Sequence, residues 1–440
     1  MHKLSFAYWI KLLIVYLVFS LKSGPSNGQQ DIDYYTSNYI RNNDHIYLDH
    51  IKTVLIHLEG DQLSPPIIRL NSENRLQVSF DDLEANVKDY RYTIVHCDAN
   101  WLESDLFQNE YIIGFMEDNI DDYKFSFNTI QSFTHYKLFI PSRDLTFSLS
   151  GNYILKVYIS DELNIAFTMR FMVIDQKVNI EGRVKRASDI SDRNYRQEID
   201  FVINTSTYPI VEPYRNLNVM ILQNNRWDNA ITNLKPKLII GDELDYNYDK
   251  ENIFDAGNEF RNFDIKSQKY RSPRIQSFGY ENQQNHVFLW DDKNRSHKTY
   301  TFDKDINGKR LISCEDATDI AIECDYTWVH FFLPYSTPIA DGNLYIMGAF
   351  THWQFTKEGL MHYNAEKSGY EASLYLKEGY YNYLIIYLEN GSEQGTMSKI
   401  EGNHFDTEND YLIMVYYRKP GFMYDELIGV EVINSLHLNK

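Results

Sequence analysis

The chain has 440 residues and a formal net charge of −19 at pH 7, and 43% of its residues are hydrophobic and 15% aromatic. This length predicts roughly two to four domains, and the apolar content is sufficient for each to bury a core. The negative charge excludes nucleic acid as a partner, since phosphate binding needs a basic surface, and it argues against electrostatic docking on anionic lipid. An acidic surface keeps a protein soluble and could complement a basic rim on a partner.

Residues 1–28 have the pattern of a cleaved signal peptide. Lysines precede the apolar run Leu12–Phe19, and Ser26 and Gly28 provide small residues at positions −3 and −1 of a cleavage site before Gln29. The run is too short for a comfortable membrane span, and no later segment is apolar enough to cross a bilayer. No cysteine lies near the cleavage site, which argues against a lipoprotein. We therefore expect a soluble protein beyond the inner membrane, with no direct membrane insertion.

Short alternating segments predict the strands of an N-terminal domain, residues 31–175. These strands are Ile51–Leu58, Ile67–Leu70, Leu76–Phe80, Tyr90–Cys97, Tyr136–Ile140, Tyr153–Ile159 and Ile165–Ile174. Short strands separated by turn signals at this spacing indicate an immunoglobulin-like β-sandwich. The less regular stretch 101–134 is expected to cross between the two sheets or to cover one end.

Two more β-sandwich domains are predicted, residues 176–335 with long loops and residues 336–440. Their main strands are Val178–Val184, Ile199–Ile203, Leu217–Leu222, Lys237–Ile240, Gln284–Trp290, Tyr326–Phe332, Tyr370–Leu376, Gly379–Leu388 and Tyr411–Tyr417. The stretch 241–285 is rich in Asn and Asp, which favour turns. The predicted fold class is therefore all-β, with tandem immunoglobulin-like β-sandwich domains.

The three cysteines are Cys97, Cys314 and Cys324, an odd number. Cys314 and Cys324 flank a short segment that could turn back on itself, and an oxidising compartment would permit a disulfide between them. The alternative is three buried thiols that act as small hydrophobic groups. We favour the thiols, because a chain of this length does not need a covalent staple.

The sequence His96-Cys97-Asp98 is a candidate nucleophile or metal-binding corner at the end of a predicted strand. A catalytic cysteine needs a positioned base and an electropositive, accessible setting, whereas Asp98 disfavours a thiolate. We expect Cys97 to pack in a core while His96, Asp98 and Trp101 fix the strand exit. Zinc spacing and phosphate-binding loops are absent, and Asp242–Asp249 lacks the order of a calcium loop. The prediction is a protein without enzymatic activity, metal or cofactor.

In the last domain, Gly348, Phe350 and Trp353 form a Gly-x-Phe-x-x-Trp bend, and a Lys-Glu-Gly segment precedes Tyr380. This unit is similar to the early-set immunoglobulin modules that bind glycogen-like sugars. The resemblance implies an early-set β-sandwich and, as an alternative function, periplasmic glycan binding by stacking on Trp353 and Tyr380. Those modules carry a second Trp where this chain has Glu393-Gln-Gly395, and a Trp at a strand bend more often packs internally.

A second resemblance rests on motifs that are distributed over nearly all of the chain after residue 30. They are His96-Cys97-Asp98 followed by Trp101, Ser64–Ile68, Phe80–Asp82, Ser150–Tyr153 and Gly402–Tyr411. Together they resemble the type IX secretion plug proteins of the Bacteroidetes. The resemblance implies a non-enzymatic periplasmic protein, associated with the outer membrane, that closes the periplasmic opening of a giant outer-membrane translocation barrel in its idle state. It also implies a monomer within a complex, with that barrel as the partner.

The partner-binding surface is expected in loops at one end of the sandwiches. We predict contributions from the proline pair and from aromatic or aliphatic residues after the His-Cys-Asp strand: Pro65, Pro66, Trp101, Leu106, Tyr111 and Phe115.

Overall fold

Alternating apolar residues favour β-strands, and almost all regular elements of the described chain are β-strands. The structure is a computed structural model that describes residues 41–436, so the predicted signal peptide lies outside the described residues. The α-helices in the described part are single turns: α1 Gln108–Tyr111, α2 Pro213–Asn216 and α3 Ile320–Glu323. A 3₁₀ turn covers Ala349–Thr351. The predicted all-β fold class is confirmed.

The first part of the described chain has twelve strands, and ten of them build the two sheets of the first sandwich. The twelve strands are β1 His45–Ile46, β2 Ile51–Leu58, β3 Ile67–Arg69, β4 Leu76–Asp82, β5 Tyr90–Cys97, β6 Ile112–Gly114, β7 Glu117–Asn119, β8 Asp122–Phe125, β9 Thr134–Ile140, β10 Leu145–Phe147, β11 Gly151–Ile159 and β12 Ile165–Ile174. One sheet has the order β1-β12-β11-β5-β7, with β3 parallel to β12, and the other has the order β2-β4-β9-β8. Between them Phe80 stacks on Tyr136 and meets Phe167 edge-on, so the inward residues of both sheets build one core.

The second sandwich begins with seven strands. They are β13 Asn179–Arg186, β14 Arg196–Asn204, β15 Leu217–Gln223, β16 Ile231–Leu234, β17 Leu238–Ile240, β18 Glu243–Asp245 and β19 Ile253–Asp255. One sheet has the order β13-β14-β18-β17, with β19 also beside β14. The opposite sheet is incomplete at this point in the chain, because β15 and β16 provide only half of it.

The third sandwich occupies the middle of the remaining chain. Its strands are β20 Arg261–Asp264, β21 Ile275–Glu281, β22 Gln284–Leu289, β23 Arg310–Ile312, β24 Tyr326–Pro334, β25 Gly342–Met347, β26 His362–Asn364, β27 Gly369–Lys377 and β28 Gly379–Glu389. In one sheet β28 pairs with β20, β23 and β25, and the other has the order β21-β22-β24-β27-β26. The two sheets enclose a separate apolar core that contains Phe263, Phe331 and Tyr383.

The chain then returns to the second sandwich. Strands β29 Asp410–Tyr417 and β30 Glu426–Asn434 complete its open sheet in the order β16-β15-β29-β30. Leu217 pairs with Tyr417 at one end of the β15–β29 ladder, and Gln223 pairs with Tyr411 at the other. The third sandwich is therefore inserted into the second.

The sheets do not follow the predicted division at residues 335 and 336. The predicted second domain assigned Gln284–Trp290 and Tyr326–Phe332 to the same unit as β13–β15, whereas these segments lie in the third sandwich. The predicted last domain included Tyr411–Tyr417, which pairs with β15. The prediction differs from the structure because residues up to 200 positions apart, such as Leu217 and Tyr417, pair across a sheet. Local sequence patterns carry no information about pairing over that distance.

A disulfide closes a loop within the third sandwich, and polar contacts tie the sandwiches together. Cys314 and Cys324 form a disulfide in the third sandwich, in contrast to the three thiols that the sequence favours, while Cys97 is a free, buried thiol. Between the first and third sandwiches, Lys377 and Asp81 form an ion pair of 2.7 Å with both side chains at most 2% exposed. Separating the two sandwiches would leave either buried charge without its partner, which is costly.

Candidate partner-binding surface

Residues 101–130, here called the crossing segment, connect the two sheets of the first sandwich. β7 adds to the edge of one sheet through β5, and β8 adds to the edge of the other through β9. Between α1 and β7, β6 pairs with β10 in a separate ribbon. The predicted crossing between sheets is confirmed, and the segment places its side chains along an edge of the sandwich.

The crossing segment starts at the turn after the His-Cys-Asp strand. The carboxylate of Asp98 accepts hydrogen bonds from the backbone N–H groups of Asn100 and Leu102, at 2.8 and 2.9 Å. Trp101, with a φ of +64° and 4% exposure, turns inward and meets Trp227 edge-on at 5.1 Å. The guanidinium of Arg170 lies 4.6 Å from the Trp101 ring. Trp101 therefore secures the junction between the first and second sandwiches instead of lying on the surface.

His96 and Cys97 are both fully buried. Burial raises the pKa of the Cys97 thiol to about 12 and lowers the pKa of His96 to about 4. His96 Nδ1 lies 3.0 Å from the hydroxyl oxygen of Ser104. A protonated, inaccessible thiol is a poor nucleophile. His96, Cys97 and Asp98 therefore have a structural role and hold the end of the strand by packing and hydrogen bonding.

Leu106 and Tyr111 hold the first half of the crossing segment to the core. Leu106 is half-buried against that core, and Tyr111 is 3% exposed. The side-chain amide of Gln108 donates to the hydroxyl of Thr93 at 2.9 Å and to the carbonyl of Ile94 at 3.2 Å. These anchors leave the intervening apolar side chains pointing outward.

The crossing segment concentrates exposed apolar side chains. Nine of the 27 large apolar residues that are exposed within residues 41–436 fall in the 29 positions from Leu102 to Ile130. They are Leu102, Phe107, Ile113, Phe115, Met116, Tyr123, Phe125, Phe127 and Ile130. Phe107 is 78% exposed and Phe115 61% exposed. Clustered exposed apolar residues of this kind mark interaction sites in soluble proteins.

Backbone geometry fixes the position of Phe115. Gly114 has a φ of +113°, and a Cβ atom there would overlap the carbonyl of Asp144. The backbone N–H of Phe115 donates to the same carbonyl at 2.8 Å. Only glycine permits this close approach, which turns the chain so that the next side chain faces solvent.

The second half of the crossing segment rests on the third sandwich. The backbone N–H of Phe127 donates to the carbonyl of Ile322 at 2.9 Å, and that of Ile130 donates to the carboxylate of Asp325 at 2.7 Å. Lys124 forms an ion pair of 2.8 Å with Asp319. Two sandwiches thus support the exposed segment, and a docking partner would meet a fixed surface.

The six predicted partner-binding residues separate into two groups. Trp101, Leu106, Tyr111 and Phe115 lie in the crossing segment, and of these only Phe115 is largely exposed. The half-buried pair Pro65–Pro66 leads into β3, where the Pro66 carbonyl accepts from the N–H of Met172, beside the Trp101 junction. The prediction does not include the exposed residues Phe107, Ile113, Met116, Phe125 and Phe127, because the local sequence does not show which apolar side chains of this stretch face solvent.

The alternative glycan-stacking residues occupy packed positions. Trp353 meets Phe260 at 5.9 Å, and the guanidinium of Arg226 lies 4.8 Å from its ring. A Cβ atom on Gly308 would reach within 2.5 Å of the Trp353 ring. Tyr380 is half-buried on β28, and burial raises its pKa. The side chains that pack around the Trp353 ring would thus compete with a sugar for the faces of the ring.

Two groups in residues 41–436 have a donor set that could hold a metal ion: Cys314, Cys324 and Glu378, and His50, Asp82 and Glu84. In the first group the two sulfur atoms are bonded to each other and are not thiolate ligands. In the second the ammonium group of Lys88 lies 2.7 Å from Asp82 and 2.5 Å from Glu84. The ammonium group of Lys88 already contacts both carboxylates, so neither group favours a metal.

Comparison with known proteins identifies the family. Residues 51–175 match the family model of the type 9 secretion system plug protein 1st domain. The chain also resembles a crystal structure of a hypothetical protein from Parabacteroides merdae ATCC 43184, with 36% identity and a TM-score of 0.87, over 90% of this chain and 100% of that one. The chain belongs to the type IX secretion system plug family. This plug-family protein is therefore a component of type IX secretion, of a structural and non-catalytic kind.

More distant structures add nothing to the plug-family assignment. The C-terminal domain of the Streptococcus pyogenes antigen I/II-family protein AspA has 7% identity and a TM-score of 0.16 over 87% of this chain and 99% of that one. The Pseudomonas fluorescens DNA glycosylase AlkC has 9% identity and a TM-score of 0.15 over 28% and 29% of the two chains. None of the curated proteins compared with the chain matches it. Within residues 41–436, every helix is too short or too polar to span a bilayer.

Proposed function

We propose that this protein is periplasmic and closes the periplasmic opening of the outer-membrane barrel of the type IX secretion system while the barrel is idle. Membership of the plug family is the observation that carries the proposal. The barrel would be its partner, and the protein would act sterically, without catalysis or a cofactor.

Rigidity supports this function. A stopper has to resist deformation by solutes and by the barrel rim, and three β-sandwiches joined through buried contacts provide that resistance. The Asp81–Lys377 ion pair joins the first sandwich to the third, and the Trp101–Trp227 contact joins the first to the second.

The crossing segment is the surface that we assign to the rim of the barrel. Its exposed rings provide apolar contact area, and Phe107 and Phe115 are the most prominent in its first half. Its acidic residues Asp105 and Asp121 are also exposed and would complement a basic rim.

The test replaces Phe107 and Phe115 together with Ser in the full-length protein, expressed in a strain that lacks the native copy. Both side chains are exposed, so folding should be unchanged, while loss of two central apolar contacts should reduce recovery of the barrel in a pull-down by about tenfold. The outer membrane should also admit a large polar antibiotic that the intact strain excludes.

The matched control carries Phe302→Ser and Phe422→Ser, which remove two exposed phenylalanines outside the crossing segment. This variant should retain both the barrel and the permeability barrier. An intact barrier in the strain that lacks the protein altogether, with the barrel assembled, would contradict the plugging function. Equal losses in the two double variants would contradict the assignment of the surface.

A further inference from the structure

The third sandwich carries a cleft that is separate from the crossing segment. It lies on the outer face of the sheet β21-β22-β24-β27-β26 and has a volume of about 990 Å³. Strand alternation explains its lining, because Val287, Val329 and Phe331 point into the core and their neighbours point outward. A volume of this order falls within the range of ligand-binding clefts.

A stack of rings forms the floor of the cleft. His330 packs against both Phe288 and His286, with centroid distances of 4.5 and 5.1 Å and interplanar angles of 12° and 6°, and the centroids of Phe288 and His286 are 6.4 Å apart. His286 Nδ1 lies 2.8 Å from His330 Nε2, and His330 Nδ1 lies 2.8 Å from the Ser373 hydroxyl. Burial lowers the pKa of His330 to about 4, so its ring is neutral at pH 7. The floor is an aromatic surface that includes the neutral His330 ring and the 38% exposed Phe288.

The walls of the cleft are acidic. The exposed carboxylates of Glu281, Asp291 and Glu358 line it, and none of them forms an ion pair within residues 41–436. Glu371 is already neutralised by Lys367, at 2.8 Å, which leaves Lys357 as the opposing charge. Aromatic faces next to uncompensated carboxylates favour a cation, since both attract positive charge.

The length of the cleft indicates an extended ligand. Glu281 pairs with Gln284 at the first residue of β22, and Asp291 stands just beyond its last residue. The seven residue steps from position 284 to position 291 span roughly 23 Å at the rise of an extended chain. That distance accommodates six or seven residues of an extended peptide.

We propose that this cleft binds an extended basic peptide segment, with an Arg or Lys side chain over Phe288 and further cationic groups at Glu281 and Asp291. The proposal goes beyond the plugging function and uses no residue of the crossing segment. A neutral oligosaccharide, which could also stack on the rings, would meet the unpaired carboxylates only as hydrogen-bond acceptors and would leave their charge uncompensated.

The test measures fluorescence anisotropy of a labelled peptide that alternates Arg and Gly over six residues, titrated with the full chain at about 0.15 M salt to screen non-specific attraction. Saturable binding is expected, and Glu281→Gln combined with Asp291→Asn should weaken it about tenfold. Phe288→Ala should weaken it about fivefold through loss of the cation–π contact.

Two control variants separate the cleft from the general acidity of the chain. Glu73→Gln with Glu162→Gln removes the same charge from exposed positions on the first sandwich, and Phe302→Ala removes an exposed ring outside the cleft. Both should bind within about twofold of the unmodified protein. Equal weakening by the two charge variants would overturn the proposal, as would absence of saturable peptide binding. Binding of maltohexaose that Phe288→Ala abolishes would also overturn it, in favour of a sugar.

Discussion

Glu378 carries a buried carboxyl group at the turn between β27 and β28, where burial disfavours ionisation. It is 9% exposed, and its carboxylate accepts a hydrogen bond of 3.0 Å from the backbone N–H of Asp325. Burial raises the pKa of Glu378 to about 7. The unfolded chain releases this proton near pH 4.5. The stability that the protonated group contributes is therefore complete below pH 4.5 and is lost as the pH rises toward 7.

The substitution Glu378→Gln should remove this pH dependence. The amide cannot ionise, and its oxygen can still accept the hydrogen bond from Asp325. The difference in unfolding free energy between the variant and the unmodified protein should change between pH 4 and pH 8. It should shift in favour of the variant by on the order of 3 kcal/mol, at 1.36 kcal/mol per pKa unit. Urea denaturation at both pH values measures this difference, with the exposed Glu366→Gln as the control. Parallel pH profiles for the two variants would contradict the prediction.

Among the elements, the loop closed by Cys314 and Cys324 connects the crossing segment to the third sandwich. It contains α3, whose capping residue Asp319 accepts from the N–H of Ala321 at 3.1 Å and also binds Lys124. The disulfide spans ten positions of sequence. It holds this contact surface in shape by restricting the loop.

Replacing both Cys314 and Cys324 with Ser should lower the free energy of unfolding by about 2–3 kcal/mol, because the open loop gains entropy in the unfolded chain. Urea denaturation without reductant measures the loss. A reducing agent provides the internal control, since it should bring the unmodified protein to the stability of the variant and leave the variant unchanged. Insensitivity of the unmodified protein to reductant would argue against the bond.

The strands themselves follow from local sequence. Ile51–Leu58, Tyr90–Cys97 and Ile165–Ile174 have the predicted bounds, because apolar alternation and turn residues act over a few positions. The insertion of the third sandwich does not follow from local patterns, since the β15–β29 ladder depends on packing between distant segments. The same limit applies at the crossing segment, where an aromatic residue gives no local sign of whether it turns inward like Trp101 or outward like Phe115.

At the scale of the whole molecule, buried charges join separate sandwiches. The Asp81 carboxylate on β4 receives the ammonium of Lys377 on β27 at 2.7 Å, the hydroxyl of Tyr326 at 2.7 Å and the ring nitrogen of His135 at 2.6 Å. Burial opposes ionisation of Asp81, but the charges of Lys377 and His135 hold its pKa below the ordinary value of 3.8. Its stabilising contribution is therefore present above about pH 4 and is lost as the solution is acidified further.

This arrangement predicts that the first and third sandwiches depend on each other for stability. Lys377→Met leaves the Asp81 carboxylate buried without its cation, and should cost about 3–5 kcal/mol of unfolding free energy at pH 7. Adding Asp81→Leu removes the orphaned charge, and should restore a large part of the loss. Urea denaturation of the single and double variants provides the measurement.

The exposed pair Lys269–Asp316, with side chains 71% and 73% exposed, is the matched control. Lys269→Met should leave stability unchanged, because water already solvates both charges. If Lys377→Met were equally harmless, the buried pair would not connect the sandwiches energetically. If Lys377→Met produced two unfolding transitions and left the stability of the first sandwich unchanged, only the third sandwich would depend on the ion pair. A large loss that occurs in a single unfolding transition and is recovered in the double variant would instead establish that the two sandwiches unfold as one body, which is the property that a rigid stopper requires.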